Sequence, residues 1–145
     1  MRIHLSLATL DLAKSVKFYS TLLDAKPTKL LGDYALFITD QPGLELALDL
    51  TDEVSPNRDA HYGVYVESAE EVGRAIARLG RANLASSIER EETCCYANQT
   101  KVWAIDPEGR RWEIYTVHDE TDERDDADTT CCSAGNKTRQ CCIAE

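Results

Sequence analysis

The chain has 145 residues, room for one domain of common size or two small fused modules, and its 43% hydrophobic content can supply a core through about residue 117. A formal net charge of −10, with no basic stripe to track phosphates, argues against nucleic acid as a partner. No apolar run is long enough to span a membrane, and the start Met1-Arg2-Ile3-His4-Leu5-Ser6-Leu7 is polar at alternate positions. No membrane partner and a cytoplasmic location are therefore expected.

Ile3, Leu5 and Leu7 alternate with His4, Ser6 and Ala8, the pattern of a half-buried strand. The apolar set is expected to face a helix, with His4 and Ser6 on the other face; a slip of one residue would reverse this. Asp11 then caps a helix with the apolar stripe Leu12, Val16, Tyr19 and Leu23, ending near Asp24-Ala25 and before Pro27. Tyr34 to Thr39 reads as a strand, Gln41-Pro42-Gly43 as its turn, and Leu44 to Leu48 as its hairpin partner.

The pattern then repeats. His61 opens a strand to Val66, and Ser68 with Glu71 forms a capping-box signature ahead of Val72, Ala75, Ile76 and Leu79 on one helical face, with Gly80 as the stop. Residues 101–105 and 111–117 read as strands joined by Asp106-Pro107-Glu108-Gly109, a strong turn signal. Glu45 follows His4 by 41 residues and Glu113 follows His61 by 52, and the difference falls in Glu89 to Thr100, which carries Cys94-Cys95. That stretch reads as an active-site loop added to the second copy of a duplicated module. Each copy is too small to close a good core alone, so paired copies are expected to put their helices outside and leave a concave sheet within.

After Val117 the composition changes. Seven acidic residues crowd 119–128, and Thr129 to Lys137 has few large apolar groups, so 118–145 is expected to be a mobile tail. The domain would cover 1–117, with modules at about 1–50 and 60–117. All six cysteines occur as adjacent pairs, Cys94-Cys95, Cys131-Cys132 and Cys141-Cys142. Neighbouring cysteines staple distant strands poorly, and a reducing compartment keeps them as thiols, so metal or metalloid capture is the better reading. Two adjacent thiols suit chemistry on a soft, thiophilic element. Glu89, Glu91 and Glu92 would disfavour the thiolate, and Lys101 would offset them if it lies close.

Taken with this layout, the chain resembles the vicinal oxygen chelate superfamily of glyoxalases, fosfomycin- and bleomycin-resistance proteins and extradiol dioxygenases. The resemblance implies an α+β fold of two tandem βαβββ modules forming a concave metal cup, followed by a flexible tail. It implies His4, His61 and Glu113 as ligands of Fe(II), with positions open for dioxygen as co-substrate. Glu45 is a possible additional ligand that would convert the set to a nickel- or zinc-type glyoxalase site, and the sequence leaves that choice open. Glu91-Glu92-Thr93-Cys94-Cys95-Tyr96-Ala97, Lys101-Val102-Trp103 and Asp106-Pro107-Glu108-Gly109-Arg110-Arg111-Trp112-Glu113 look like the non-haem iron C–As lyases and the related cadmium-induced proteins. Phe18-Tyr19-Ser20 and Asp40-Gln41-Pro42-Gly43-Leu44 extend that likeness over residues 2–117.

That likeness implies Fe(II)- and O2-dependent cleavage of trivalent organoarsenicals such as methylarsenite, releasing arsenite. Cys94 and Cys95 would be the catalytic and substrate-binding pair, and Cys131, Cys132, Cys141 and Cys142 would capture metalloid. The implied partners are small trivalent organoarsenicals, and the oligomeric state stays open. The competing readings are a thiol-based cadmium or arsenic sequestration protein, a metal-dependent glyoxalase, and an extradiol dioxygenase, which leaves Cys94-Cys95 unexplained. Taken singly, His4 is an ordinary polar-face strand residue, Glu113 a solvated strand carboxylate, His118 a boundary residue and the cysteines plain free thiols.

Overall fold

The computed structural model describes residues 1–57 and 59–124. Its first half runs β1 (Ile3–Thr9), α1 (Leu12–Leu23), β2 (Lys29–Leu30), β3 (Tyr34–Asp40) and β4 (Gly43–Leu50). The second half runs β5 (His61–Tyr65), α2 (Ala69–Arg81), β6 (Ala85–Cys94), β7 (Ala97–Ile105) and β8 (Arg111–Glu120). Each half is a βαβββ module with one four-stranded mixed sheet, in the orders β1-β4-β3-β2 and β5-β8-β7-β6. The first strand of each module pairs parallel with the last, across the helix crossover, and the other pairings are antiparallel.

Local chemistry sets the element ends. The Asp11 carboxylate accepts from Lys14 N at 3.0 Å and caps α1, and Asp24 closes that helix in the left-handed region. Ser68 caps α2 by accepting from Glu71 N, while Glu71 Oε2 accepts from Glu67 N at 3.1 Å. Gly80 does not stop α2. The helix continues to Arg81 and closes on Asn83, at φ 57°, with Asn83 N donating to Gly80 O and Leu84 N to Leu79 O. This Schellman pair satisfies two helix-end carbonyls and needs only one left-handed residue, which asparagine tolerates.

The stretch from Glu89 to Thr100 is a β-hairpin rather than a loop. β6 and β7 pair through Thr93–Asn98 and Cys94–Ala97, and Cys95-Tyr96 make the turn. Both turn residues have positive φ, 56° and 69°, as a tight turn matched to the right-handed twist of the strands requires. β8 also runs past Val117 to Glu120, so the boundary expected at 117 falls inside a strand.

One core joins the modules. Leu7, Phe37, Leu46 and Leu48 of the first sheet belong to the same buried cluster as Val64, Val102, Trp112 and Ile114 of the second, with Phe18, Tyr19, Leu22, Val72, Ala75 and Leu79 from the helices. Tyr19 of α1 packs edge-on against Trp112 of β8, with ring centroids 5.6 Å apart. Arg78 of α2 donates to the Thr21 and Leu22 carbonyls of α1. The helix-bearing faces of the two sheets thus share the core, and the alternate faces are the outer ones. The apolar face of each module is satisfied against the other, so the closed concave cup expected between the histidine-bearing faces is not confirmed within the described residues of the chain.

A polar clasp fixes that arrangement. Asp106 Oδ1 accepts from Arg110 N at 2.7 Å and Glu108 N at 3.0 Å, and Oδ2 accepts from Arg110 Nη1 at 2.9 Å and Tyr19 Oη at 2.7 Å. Arg110 Nη2 donates to the Ala8 carbonyl at 2.7 Å. Glu108 Oε1 accepts from Thr9 Oγ1 and from Leu10 N, just ahead of α1. Burial, and then the Asp106 charge, holds the Tyr19 phenol well above the ordinary tyrosine range, so it stays a proton donor. Asp106→Ala should therefore strip a buried guanidinium of its partner and lower unfolding free energy by about 3–5 kcal/mol, read as a shift in the urea midpoint.

Candidate functional site

The outer face of the second sheet gathers the chemistry. Residues in direct register share a face, which places His61 beside Arg111, Gly63 beside Glu113, and Tyr65 beside Tyr115. Across β7 the same face adds Trp103 opposite Glu113 and Lys101 opposite Tyr115, and β6 adds Glu89 opposite Lys101. His61 Nε2 lies 3.4 Å from Glu113 Oε1. The imidazole is half exposed, while the carboxylate is mostly covered.

Gly63 makes room for that carboxylate. A Cβ there would stand 3.2 Å from Glu113 Oε1 and 3.0 Å from the Tyr115 ring, so the missing side chain is what lets Glu113 lie flat beside His61. An imidazole and a carboxylate converging over a cleared backbone fit a divalent cation such as Fe(II) as two of its donors. Trp103 walls the site, its ring edge-on to His61 at 5.3 Å and the Arg111 guanidinium 4.4 Å above it.

The third expected ligand is elsewhere. His4 lies exposed on β1 in direct register with Glu45 of β4, on the outer face of the first sheet. Among the described residues no set of three His, Cys, Asp or Glu side chains converges as a metal group. The two modules also differ in register. Glu45 sits directly across from His4, whereas Arg111 sits directly across from His61, and Glu113 is two residues further along. Glu45 and Glu113 are therefore not matching positions of the duplication.

The thiols cap the same sheet. Cys94 ends β6 and is buried, Cys95 is exposed, and their Sγ atoms are 3.3 Å apart. Gln99 Nε2 donates to the Cys94 carbonyl at 2.9 Å, fixing the strand just before the turn. Between the thiols and the His61–Glu113 pair lies Lys101, only 4% exposed. Its Nζ is 3.3 Å from Glu89 Oε2 and 3.7 Å from Glu113 Oε2. Burial works against this ammonium, but the charges of Glu89, Glu113 and Cys94 outweigh it and hold the lysine above its ordinary range. The interaction of its charge with Cys94 puts Lys101 within electrostatic reach of the thiols.

Two residues of the thiol hairpin escaped sequence reading. Both β6 and β8 carry an irregularity at one level, between Glu89 and Glu92 and between the partners of Asn98 and Gln99. Thr100 Oγ1 accepts from Glu91 N at 3.1 Å and bonds His118 Nε2 at 2.8 Å, so it ties both bulges together. His118 is thus part of the hairpin's support rather than a boundary residue. Beyond it, Thr121 N donates to Tyr96 O and Tyr96 N to Arg124 O, which anchors the thiol turn from the far side. Cys131, Cys132, Cys141 and Cys142 lie outside the described residues.

Two outcomes follow from this geometry. Gly63→Ala should displace the Glu113 carboxylate and weaken Fe(II) or Mn(II) binding by about tenfold or more while far-UV circular dichroism stays native. A chain ending at Arg124 should keep the ordered Cys95-Tyr96 turn, whereas one ending at Val117 should lose it, as measured by amide hydrogen exchange at Tyr96.

The sequence and fold both have relatives. Residues 3–114 match the model of the glyoxalase/bleomycin resistance protein/dioxygenase superfamily. A trivalent organoarsenical cleaving enzyme of Bacillus sp. (strain MD1) is 41% identical over 89% of this chain and 81% of its own length. The enzyme of that name from Thermomonospora curvata is 39% identical over 90% of this chain and 87% of its own length, and a cadmium-induced protein of Mycobacterium bovis is 42% identical over 80% and 76%. Among solved structures, a glyoxalase/bleomycin resistance protein/dioxygenase from Alicyclobacillus acidocaldarius superposes with a TM-score of 0.62 at 20% identity, covering 82% of this chain and 92% of that one. With its two βαβββ modules and a match spanning both, the chain belongs to the glyoxalase/bleomycin resistance protein/dioxygenase superfamily.

Proposed function

We propose that this protein is an enzyme that cleaves the carbon–arsenic bond of trivalent organoarsenicals such as methylarsenite, using Fe(II) and dioxygen and releasing arsenite. The observation that carries the reading is the pair of thiol sulfurs 3.3 Å apart at the tip of the hairpin whose sheet also holds His61 and Glu113. Relatives named as trivalent organoarsenical cleaving enzymes support it.

In this reading the thiols of Cys94 and Cys95 displace the two hydroxides of methylarsenite as water, two As–S bonds forming as two As–O bonds break, with the exposed Cys95 making first contact. Lys101 stabilises the buried Cys94 as thiolate. Trp103 and the Arg111 guanidinium form the wall against which the organic substituent rests, and they keep water from that side. His61 and Glu113 would hold Fe(II), which when bound supplies the redox chemistry for dioxygen. His4 is the third proposed donor and Glu45 an additional one. Because His61 and His4 face outward from different sheets, a contribution from His4 would tie metal affinity to protein concentration, and a dilution series of the metal titration reads it directly. Clamping through two sulfurs places the arsenic once and reuses that placement, which is catalysis by positioning.

The test is anaerobic Fe(II) loading, addition of methylarsenite with and without oxygen, and measurement of inorganic arsenite. Arsenite should form only with iron and oxygen together. Cys94→Ser and Cys95→Ser should each weaken arsenic binding by about a hundredfold, the effective-concentration advantage of the second sulfur, and leave Fe(II) loading intact. A second reading, thiol sequestration of arsenic or cadmium, is favoured by the absence of a converged three-donor group among the described residues and by the cadmium-induced relatives. Tight arsenic binding with no arsenite released under any condition would establish it over cleavage.

A further inference from the structure

Lys101 is neither an iron ligand nor an arsenic ligand in the proposed chemistry, yet its ammonium is buried between two carboxylates. Of these, Glu89 is the nearer and is independently fixed: its Oε1 accepts from Trp103 Nε1 at 2.9 Å while its Oε2 takes Lys101. The lysine is therefore held by Glu89 and leans toward Glu113 from a fixed point. Glu113 is divided between two neighbours, with Oε1 facing His61 at 3.4 Å and Oε2 facing Lys101 at 3.7 Å. Gly63 leaves Oε1 unobstructed, since a side chain there would press on that oxygen at 3.2 Å.

We infer that Lys101 is a positioning residue that occupies Glu113 Oε2, so that Glu113 presents a single oxygen to a divalent cation at His61 and the remaining positions stay free for small ligands. The inference rests on the metal site of the proposed function and deepens it. A carboxylate free at both oxygens chelates a cation and fills one more position; one oxygen committed to an ammonium cannot. The ammonium also repels the cation, so the arrangement gives up metal affinity to keep positions open. Loss of the lysine then has an unusual signature. Metal should bind more tightly while access to it falls, whereas a merely structural loss would weaken both.

Mn(II) is the probe, because bound-metal water relaxation counts exchangeable waters without any arsenical. With the like-charge repulsion removed, Lys101→Met should bind Mn(II) about tenfold more tightly than the unmodified protein and show fewer exchangeable waters per bound ion. Lys101→Arg should restore both values. Where Lys101→Met leaves Glu89 unpaired and the chain fails to fold, the double change Glu89→Gln with Lys101→Met removes the stranded charge and should give the same tighter, drier Mn(II) site. Arsenite release by the folded variant should fall at least about tenfold in turnover, as a filled position requires. Unchanged or weaker Mn(II) binding with unchanged water relaxation in a folded Lys101→Met protein would overturn the inference, as would absence of His61-dependent Mn(II) binding in the unmodified chain. A His61-dependent Mn(II) site with the expected Lys101 signature, but no arsenite from the unmodified protein, would sink C–As cleavage and leave the role of Lys101 standing.

Discussion

The buried clasp around Asp106 decides how the rest of the molecule is arranged. A turn between two strands of the second sheet is held by four hydrogen bonds to one carboxylate, and its neighbours Glu108 and Arg110 reach back to the end of β1 and the start of α1. Buried charges persist only when paired and hydrogen-bonded, and here every partner lies on an element that the clasp must orient. The result is that the two modules meet through their apolar faces. The polar faces, with His4 on one sheet and His61 and Glu113 on the other, are left outward as a consequence.

That consequence separates what the sequence revealed from what it concealed. Both helices, their N-caps and six of the eight strands follow from alternation and capping residues, because those signals are local. The short β2 has only two residues and no pattern to betray it. The β6–β7 hairpin was hidden for a different reason. Its turn is Cys95-Tyr96, not the asparagine–glycine or aspartate–glycine pair that usually signals such a turn. A sequence that places cysteine and tyrosine where glycine would relax the backbone reads as a loop. The orientation of the modules was hidden too, since it depends on contacts some ninety residues apart, such as Thr9 with Glu108.

The thiol hairpin concentrates strain in a way that fits a working segment. Glu91, Cys95 and Tyr96 all sit in the left-handed region without being glycine. Such residues cost on the order of 1–3 kcal/mol each and persist only where surrounding contacts enforce them. Those contacts are identifiable: Thr100 binds Glu91 N and His118, Asn98 Nδ2 donates to the Glu91 carbonyl, and Thr121 donates to the Tyr96 carbonyl. The strand end past Val117 is therefore spent on holding two sulfurs in place.

Charge completes the argument. The outer face of the second sheet buries the carboxylates of Glu89 and Glu113 with the ammonium of Lys101, and the Arg111 guanidinium lies over Trp103 on the same face. A carboxylate oxygen turned toward a histidine is a good place for a cation. Lys101 balances one of the two carboxylates, and it does so from the side facing the thiols. One ammonium thus acts on both halves of the candidate chemistry. It stands within electrostatic reach of Cys94 and 3.7 Å from Glu113 Oε2, so the soft sulfur pair and the hard oxygen donor share a neighbour that belongs to neither.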